Sequence, residues 1–200
     1  LWSAALAVDR ALLAEAPRHP ARTRAVMADL GRLAILRGME GNLDAALLLS
    51  GEALVLAERL AAEDPDDFEA QRSLAQLRNR RSVDLTETGR LDEAERTARQ
   101  GLASISALFA ADPSNVTVET LVAEGHEAVG QVLMARARAR GDAALWQAAR
   151  NELTAAVEIV ERLIARGVLP KDLGEAQEAE VMRALISECD RFLAASNGTG

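Results

Sequence analysis

Aromatic residues are scarce: Trp2, Phe68, Phe109, Trp146 and Phe192 are the full set, and tyrosine is absent. The apolar half of the chain is therefore mostly Ala and Leu, both strong helix formers, and the composition is that of an all-helical protein. Cysteine occurs once, at Cys189, so no intrachain disulfide can form and the redox compartment stays open. Its apolar helical stripe marks an ordinary buried thiol. Proline is rare and sits at segment edges. Lysine occurs once, at Lys171, against 22 arginines; with so much Ala and Gly, this points to a GC-rich bacterial gene. Positive charge is not in excess, since the net charge is −8, which argues against a general nucleic-acid surface and favours basic partners. No run of 18 apolar residues occurs, so nothing in this segment inserts into a membrane. His19 and His126 lie far apart without neighbours at metal-ligand spacing, and Asp64, Asp66 and Asp67 beside Pro65 suit capping better than acid–base work. There is no Gly-rich phosphate loop, nucleophile elbow or HExxH. The residues point to no enzyme, no cofactor and no metal.

What is present is a repeated turn. Gly89-Arg90-Leu91-Asp92-Glu93-Ala94 is a helix stop followed by a helix start: the glycine takes the left-handed conformation, and Asp92 either caps the next helix or favours its positive end. Gly41-Asn42-Leu43-Asp44-Ala45-Ala46 is the same device 48 residues earlier, and Gly141-Asp142-Ala143-Ala144 is a looser third copy. Between these turns the apolar spacing predicts helices over 1–16, 20–38, 43–62, 67–88, 91–111, 116–140, 143–166 and 172–194. Pro17, Pro65 and Pro113 keep a 48-residue period; so do Leu6, Leu54 and Leu102, and Leu12, Leu60 and Leu108. The third turn arrives four residues late, about one helical turn, which lengthens its helix with little rotation of its faces. A fixed period of helix pairs predicts an α-solenoid of about eight antiparallel helices. Its parts are a half repeat at 1–17, repeats at 18–65 and 66–113, a repeat with the inserted turn at 114–167, a capping helix at 172–195 and a flexible tail at 196–200. The chain opens without Met and reads as a piece of a longer protein.

These residues resemble the tetratricopeptide repeat family in a lengthened form, since the typical repeat has 34 residues. The family's small residue seven positions before the turn glycine is matched by Ala34 and Ser82, and by Gly130 if the added turn lies after it. Its alanine five positions after the glycine is matched by Ala46 and Ala94, with Ala148 as the looser third, and the small residue seven further on by Ala53, Gly101 and Ala155. Small side chains let helix backbones pack closely. One departure stands out. The large apolar positions Leu30 and Leu33 of the first repeat become Arg78 and Arg81 in the second, which predicts loose packing or buried arginine stems with paired heads.

The resemblance implies that the first helices of the repeats line a concave groove. On the matched register Arg32 and Ile35, then Asn79, Arg80 and Val83, then Glu127 and Gln131 face it or flank it, with Gly31, Gly38, Thr86 and Met134 beside them. The arginines would then accept an acidic or C-terminal peptide. The competing reading is a solvated face with local pairs such as Arg80–Asp84. Trp2, Leu6 and Leu13 belong to the half repeat, and a face without its partner helix marks an interface, to another copy or to upstream residues, unless the second helix alone covers it. The resemblance implies a non-catalytic protein–protein interaction module of a bacterial signalling or regulatory protein, for example C-terminal to a serine/threonine kinase, with a protein or peptide partner and a possible homo-oligomer. A self-association scaffold is the alternative; an enzyme with a site between helices has no residue set behind it. The compartment expected is cytoplasmic, or extracytoplasmic if a membrane span precedes the segment.

Overall fold

The computed structural model describes the chain over residues 2–169 and 174–197, and its side chains over 2–169 and 179–195. Among the described residues there are eight α-helices and no strand: α1 Trp2–Glu15, α2 Pro20–Met39, α3 Leu43–Glu63, α4 Phe68–Glu87, α5 Leu91–Ala111, α6 Val116–Arg140, α7 Ala143–Ala165 and α8 Gly174–Asn197. Each helix packs on the next in sequence, and α4 also packs on α6. That nearest-neighbour pattern makes the fold an all-α solenoid. The helix α8 runs on to Asn197, past the expected start of the tail at 196. Residues 170–173 and 198–200, and the side chains of residues 174–178 at the start of the expected capping helix, lie outside the described residues.

The turns form as the local chemistry requires. Gly41, Gly89, Gly141 and Gly167 all have φ between 65° and 76°, the left-handed region where a Cβ would be strained. After Gly41, Gly89 and Gly167 the next N–H reaches back five residues, Asn42 to Arg37, Arg90 to Leu85 and Val168 to Leu163, which closes the helix in a Schellman motif. Asn42, Asp67, Asn115 and Asp142 cap α3, α4, α6 and α7 through side-chain oxygens. Asp92 does not cap α5. It lies in the first turn, after Arg90 at the cap, and its carboxylate pairs with Arg136 of α6 at 2.9 Å.

Small residues carry the close contacts. Ala34, Ala46, Ala53, Ser82 and Ala94 are fully buried. A Cβ on Gly101 would stand 2.4 Å from Asn79 Oδ1, so α5 approaches α4 through the missing side chain. The third copy departs from the expected register. Ala148 and Ala155 are half-buried, while Ala149 and Ala156, one residue later, are buried. Five residues after Gly141 stands Trp146 instead of alanine, and it stacks on Phe192 of α8 with ring centroids 4.3 Å apart. The indole is accommodated because α8 supplies an aromatic face there.

The arginine departure has a definite outcome. The Arg78 and Arg81 side chains are largely buried and their heads are paired. Arg78 donates to Ser104 Oγ at 2.8 Å, and Arg81 to the carbonyl of Leu47 at 2.9 Å. Arg81 fits because residue 51 is glycine: a Cβ there would lie 2.8 Å from its Nη1. With guanidinium heads at these positions, the apolar interior is divided. Two small clusters, around Leu30 and around Leu60, serve α1–α4, and one continuous core runs from Ala75 through α8.

Candidate functional site

The alternate helices α2, α4 and α6 form one face. Between α2 and α4 lies a cleft of about 350 Å³, lined by Arg24, Met27, Ala28, Gly31, Arg32, Ile35, Ser73, Gln76, Leu77 and Arg80. Between α4 and α6 a second cleft of about 280 Å³ is lined by Gln76, Asn79, Arg80, Val83, Glu124, Glu127, Ala128 and Gln131. Gln76 and Arg80 of α4 belong to both, so the two clefts adjoin along α4 and together make up the groove. All seven residues expected there line it: Arg32, Ile35 and Arg80 in the first cleft, Asn79, Arg80, Val83, Glu127 and Gln131 in the second. Met134 does not; it is fully buried in the core of the lengthened α6. Arg24, Ala28, Gln76 and Glu124 were missed, although the helical spacings 24–28–31–35, 73–76–80–83 and 124–128–131 run through them.

The floor of the α2/α4 cleft is apolar and deep at Gly31, where a Cβ would meet only Leu77 Cδ2 at 4.0 Å. Its arginines are held in place. Arg24 pairs with Asp67, Arg32 with Asp29 at 3.1 Å and Arg80 with Asp84 at 2.6 Å. Asp29 and Asp84 are buried, so the local pair anticipated at Arg80–Asp84 exists, and yet the arginine still lines the groove. Arg80 reaches α2 because residue 38 is glycine; a Cβ there would lie 3.1 Å from Arg80 Nη2.

Trp2, Leu6 and Leu13 do not form an uncovered face. Leu6 is 5% exposed, packed with Val26, Leu30 and Leu33, and Leu13 packs against the same cluster. That cluster is built from α2 and α3 together, since Ala53 and Leu49 of α3 belong to it. Trp2 remains 41% exposed, and its ring lies under the Arg32 guanidinium at 4.8 Å, a cation–π contact. It therefore backs a groove arginine. Besides Trp2, the large apolar side chains that α1 leaves exposed are Val8 and Leu12.

No protein-family model matches the chain, and no curated protein matches it. Among solved structures the chain is similar to BtubC (BKLC) from P. vanneervenii, at 20% identity and a TM-score of 0.49, covering 98% of this chain and 90% of that one. At that score the likeness carries nothing further.

Outside the groove, one pair has the residue types of acid–base chemistry. His126 Nδ1 and Glu152 Oε2 are 2.7 Å apart, joining α6 to α7. Arg99 lies 3.6 Å from Glu152 and also bonds Glu95, which pairs with Arg136. The whole is a strap of charges across α5, α6 and α7. The hydrogen bond with His126, and then the nearby charges of His126 and Arg99, hold the Glu152 carboxyl below its ordinary range against the opposing effect of burial. An acid whose pKa is lowered by folding adds stability above its unfolded pKa and loses it as pH falls through the folded one. Wild type is therefore expected to melt above Glu152→Gln at neutral pH, with the gap closing as the solution is taken below the ordinary glutamate range. A gap that does not change with pH would show that the carboxylate charge contributes nothing. Among the described residues no group of three His, Cys, Asp or Glu side chains is placed to hold a metal ion.

Proposed function

We propose that this chain is a non-catalytic interaction module of tetratricopeptide type, which takes a peptide segment of a partner protein along α2, α4 and α6. The observation that supports the reading is the groove itself: an apolar-floored cleft adjoining a second one along α4, with arginines preset by buried carboxylates at Asp29 and Asp84. A preset side chain loses less freedom when a ligand binds, so its hydrogen bonds count for more. The setting proposed is a bacterial signalling or regulatory protein, with the module beside a catalytic or DNA-binding domain. No helix among the described residues is long and apolar enough to cross a membrane.

Gly31→Leu tests the reading. It places a side chain into the floor of the α2/α4 cleft, where there is room for it, and exchanges a poor helix former for a good one, worth about 1 kcal/mol within a helix. The expected result is an unchanged or raised melting temperature together with loss of peptide binding. Peptides selected from a random display library on the wild-type chain that bind Gly31→Leu equally well would remove the groove from consideration.

A further inference from the structure

The groove is not uniform along its length. Arg32 and Arg80 occupy equivalent positions 48 residues apart, and the next equivalent position is Ala128. Where the third arginine would stand, the groove instead carries Glu124 and Glu127, the latter accepting a hydrogen bond from Gln131 at 2.8 Å. The partners of the two arginines sharpen this contrast. Asp29 and Asp84 are buried beneath the surface, whereas the Arg32 side chain is 52% exposed. A ligand in the α2/α4 cleft thus meets guanidinium N–H groups and not the carboxylates that balance them. Each guanidinium has five N–H donors; one on Arg32 bonds Asp29 and one on Arg80 bonds Asp84. The Trp2 ring under Arg32 further limits where that head can go.

We infer that the groove reads a polarised segment: a peptide with an acidic side chain seated against Arg32 and Arg80, an apolar side chain between Ile35 and Leu77, and a basic side chain over Glu124 and Glu127. This rests on the peptide-binding reading above and adds the chemistry and direction of the occupant. The two charged positions are separated by about one helix spacing, roughly 8–10 Å. In an extended peptide at about 3.3 Å per residue that is about three residues. Direction follows from charge order. A segment of the opposite order sets like charges against each other at both ends, and such a mismatch excludes wrong partners more effectively than attraction selects right ones.

The test starts from a random peptide library displayed on phage and selected on the wild-type chain, with the selected peptides synthesised and titrated by fluorescence anisotropy. The expected result is a set of peptides with one acidic, one apolar and one basic position in fixed order. Replacing the acidic residue by lysine should weaken binding to wild type by about tenfold or more, and Arg32→Glu should restore much of it. Arg32 is chosen because it is half exposed, and circular dichroism of the variant checks its fold. Replacing the basic residue by glutamate should be restored in the same way by Glu127→Arg. Selected peptides that Gly31→Leu excludes but that show no charge order, or whose charge swaps Arg32→Glu and Glu127→Arg do not rescue, overturn the polarity and leave the groove reading standing. Selection that yields nothing sensitive to Gly31→Leu overturns both.

Discussion

Replacing Arg162 and Arg166 together by alanine is expected to cost about 3–5 kcal/mol, the range for a buried charge left without its partners. Glu119 is only 3% exposed, in the first turn of α6. Arg162 donates to its Oε1 through Nε and Nη2 at 3.1 and 2.9 Å, and Arg166 donates to Oε2 at 2.7 Å. The arrangement also sets a carboxylate at the N-terminal end of α6 and two cations at the C-terminal end of α7, each favoured by its helix dipole. The arginines are about half exposed, so they lose little when Glu119 goes, whereas Glu119 loses both partners when they go. The cost is therefore asymmetric. Glu119→Met in the double-alanine background should recover most of the loss, because a flexible apolar side chain of similar length needs no partner. In a chain of this size each kcal/mol moves the melting temperature by about 2–4 °C, so the double variant should melt roughly 6–20 °C lower. A drop within error, or no recovery with Glu119→Met, would mean that the carboxylate finds water and the clamp does not hold α6 to α7.

Leu153→Ala is expected to cost about 2–5 kcal/mol, and Gly130→Ala to change sign in its presence. Leu153 is fully buried, and its Cγ lies 2.7 Å from where a Cβ on Gly130 would stand, with its Cδ2 at 3.0 Å. In the wild-type chain Gly130→Ala therefore forces packed atoms apart, at about 1–3 kcal/mol. With Leu153 cut back to alanine the same methyl enters the space left behind, and the helix gains about 1 kcal/mol from losing a glycine. A double-mutant cycle in urea measures the coupling. Additive effects would show that α6 and α7 do not meet at this point.

The helices and their turns were legible because they depend on neighbours in sequence. Gly41, Gly89 and Gly141 take the left-handed conformation as expected, and Asp67 caps α4 through a bond that spans three residues; Asn42, Asn115 and Asp142 also cap but were not singled out, and Asp92 lies in the first turn of α5 instead of capping it. The groove was legible only with a resemblance added. The 48-residue period fixes which positions are equivalent, but that the first helices of the repeats line a groove came from the tetratricopeptide resemblance; on its register Arg32, Ile35, Asn79, Arg80, Val83, Glu127 and Gln131 were expected on one surface, and they line the two clefts. The register weakened where the period broke. After the inserted turn Met134 went to the core, and the buried alanines became Ala149 and Ala156.

Determined by the sequence alone, then, were eight helices, their stops, and the faces that recur, because backbone conformation and helical periodicity act over a few residues. Decided only by the tertiary structure were the partners of the charged groups and the coverage of the first helix. Arg81 finds Leu47, Arg78 finds Ser104, Arg162 and Arg166 find Glu119, Trp146 finds Phe192, and Leu6 is buried in a cluster with α2 and α3 while Val8 is left bare. Most of these partners lie tens of residues apart. Whether they meet depends on how closely two helices approach and at what angle, and that is set by the side chains of both, glycine at 51 and 130 included.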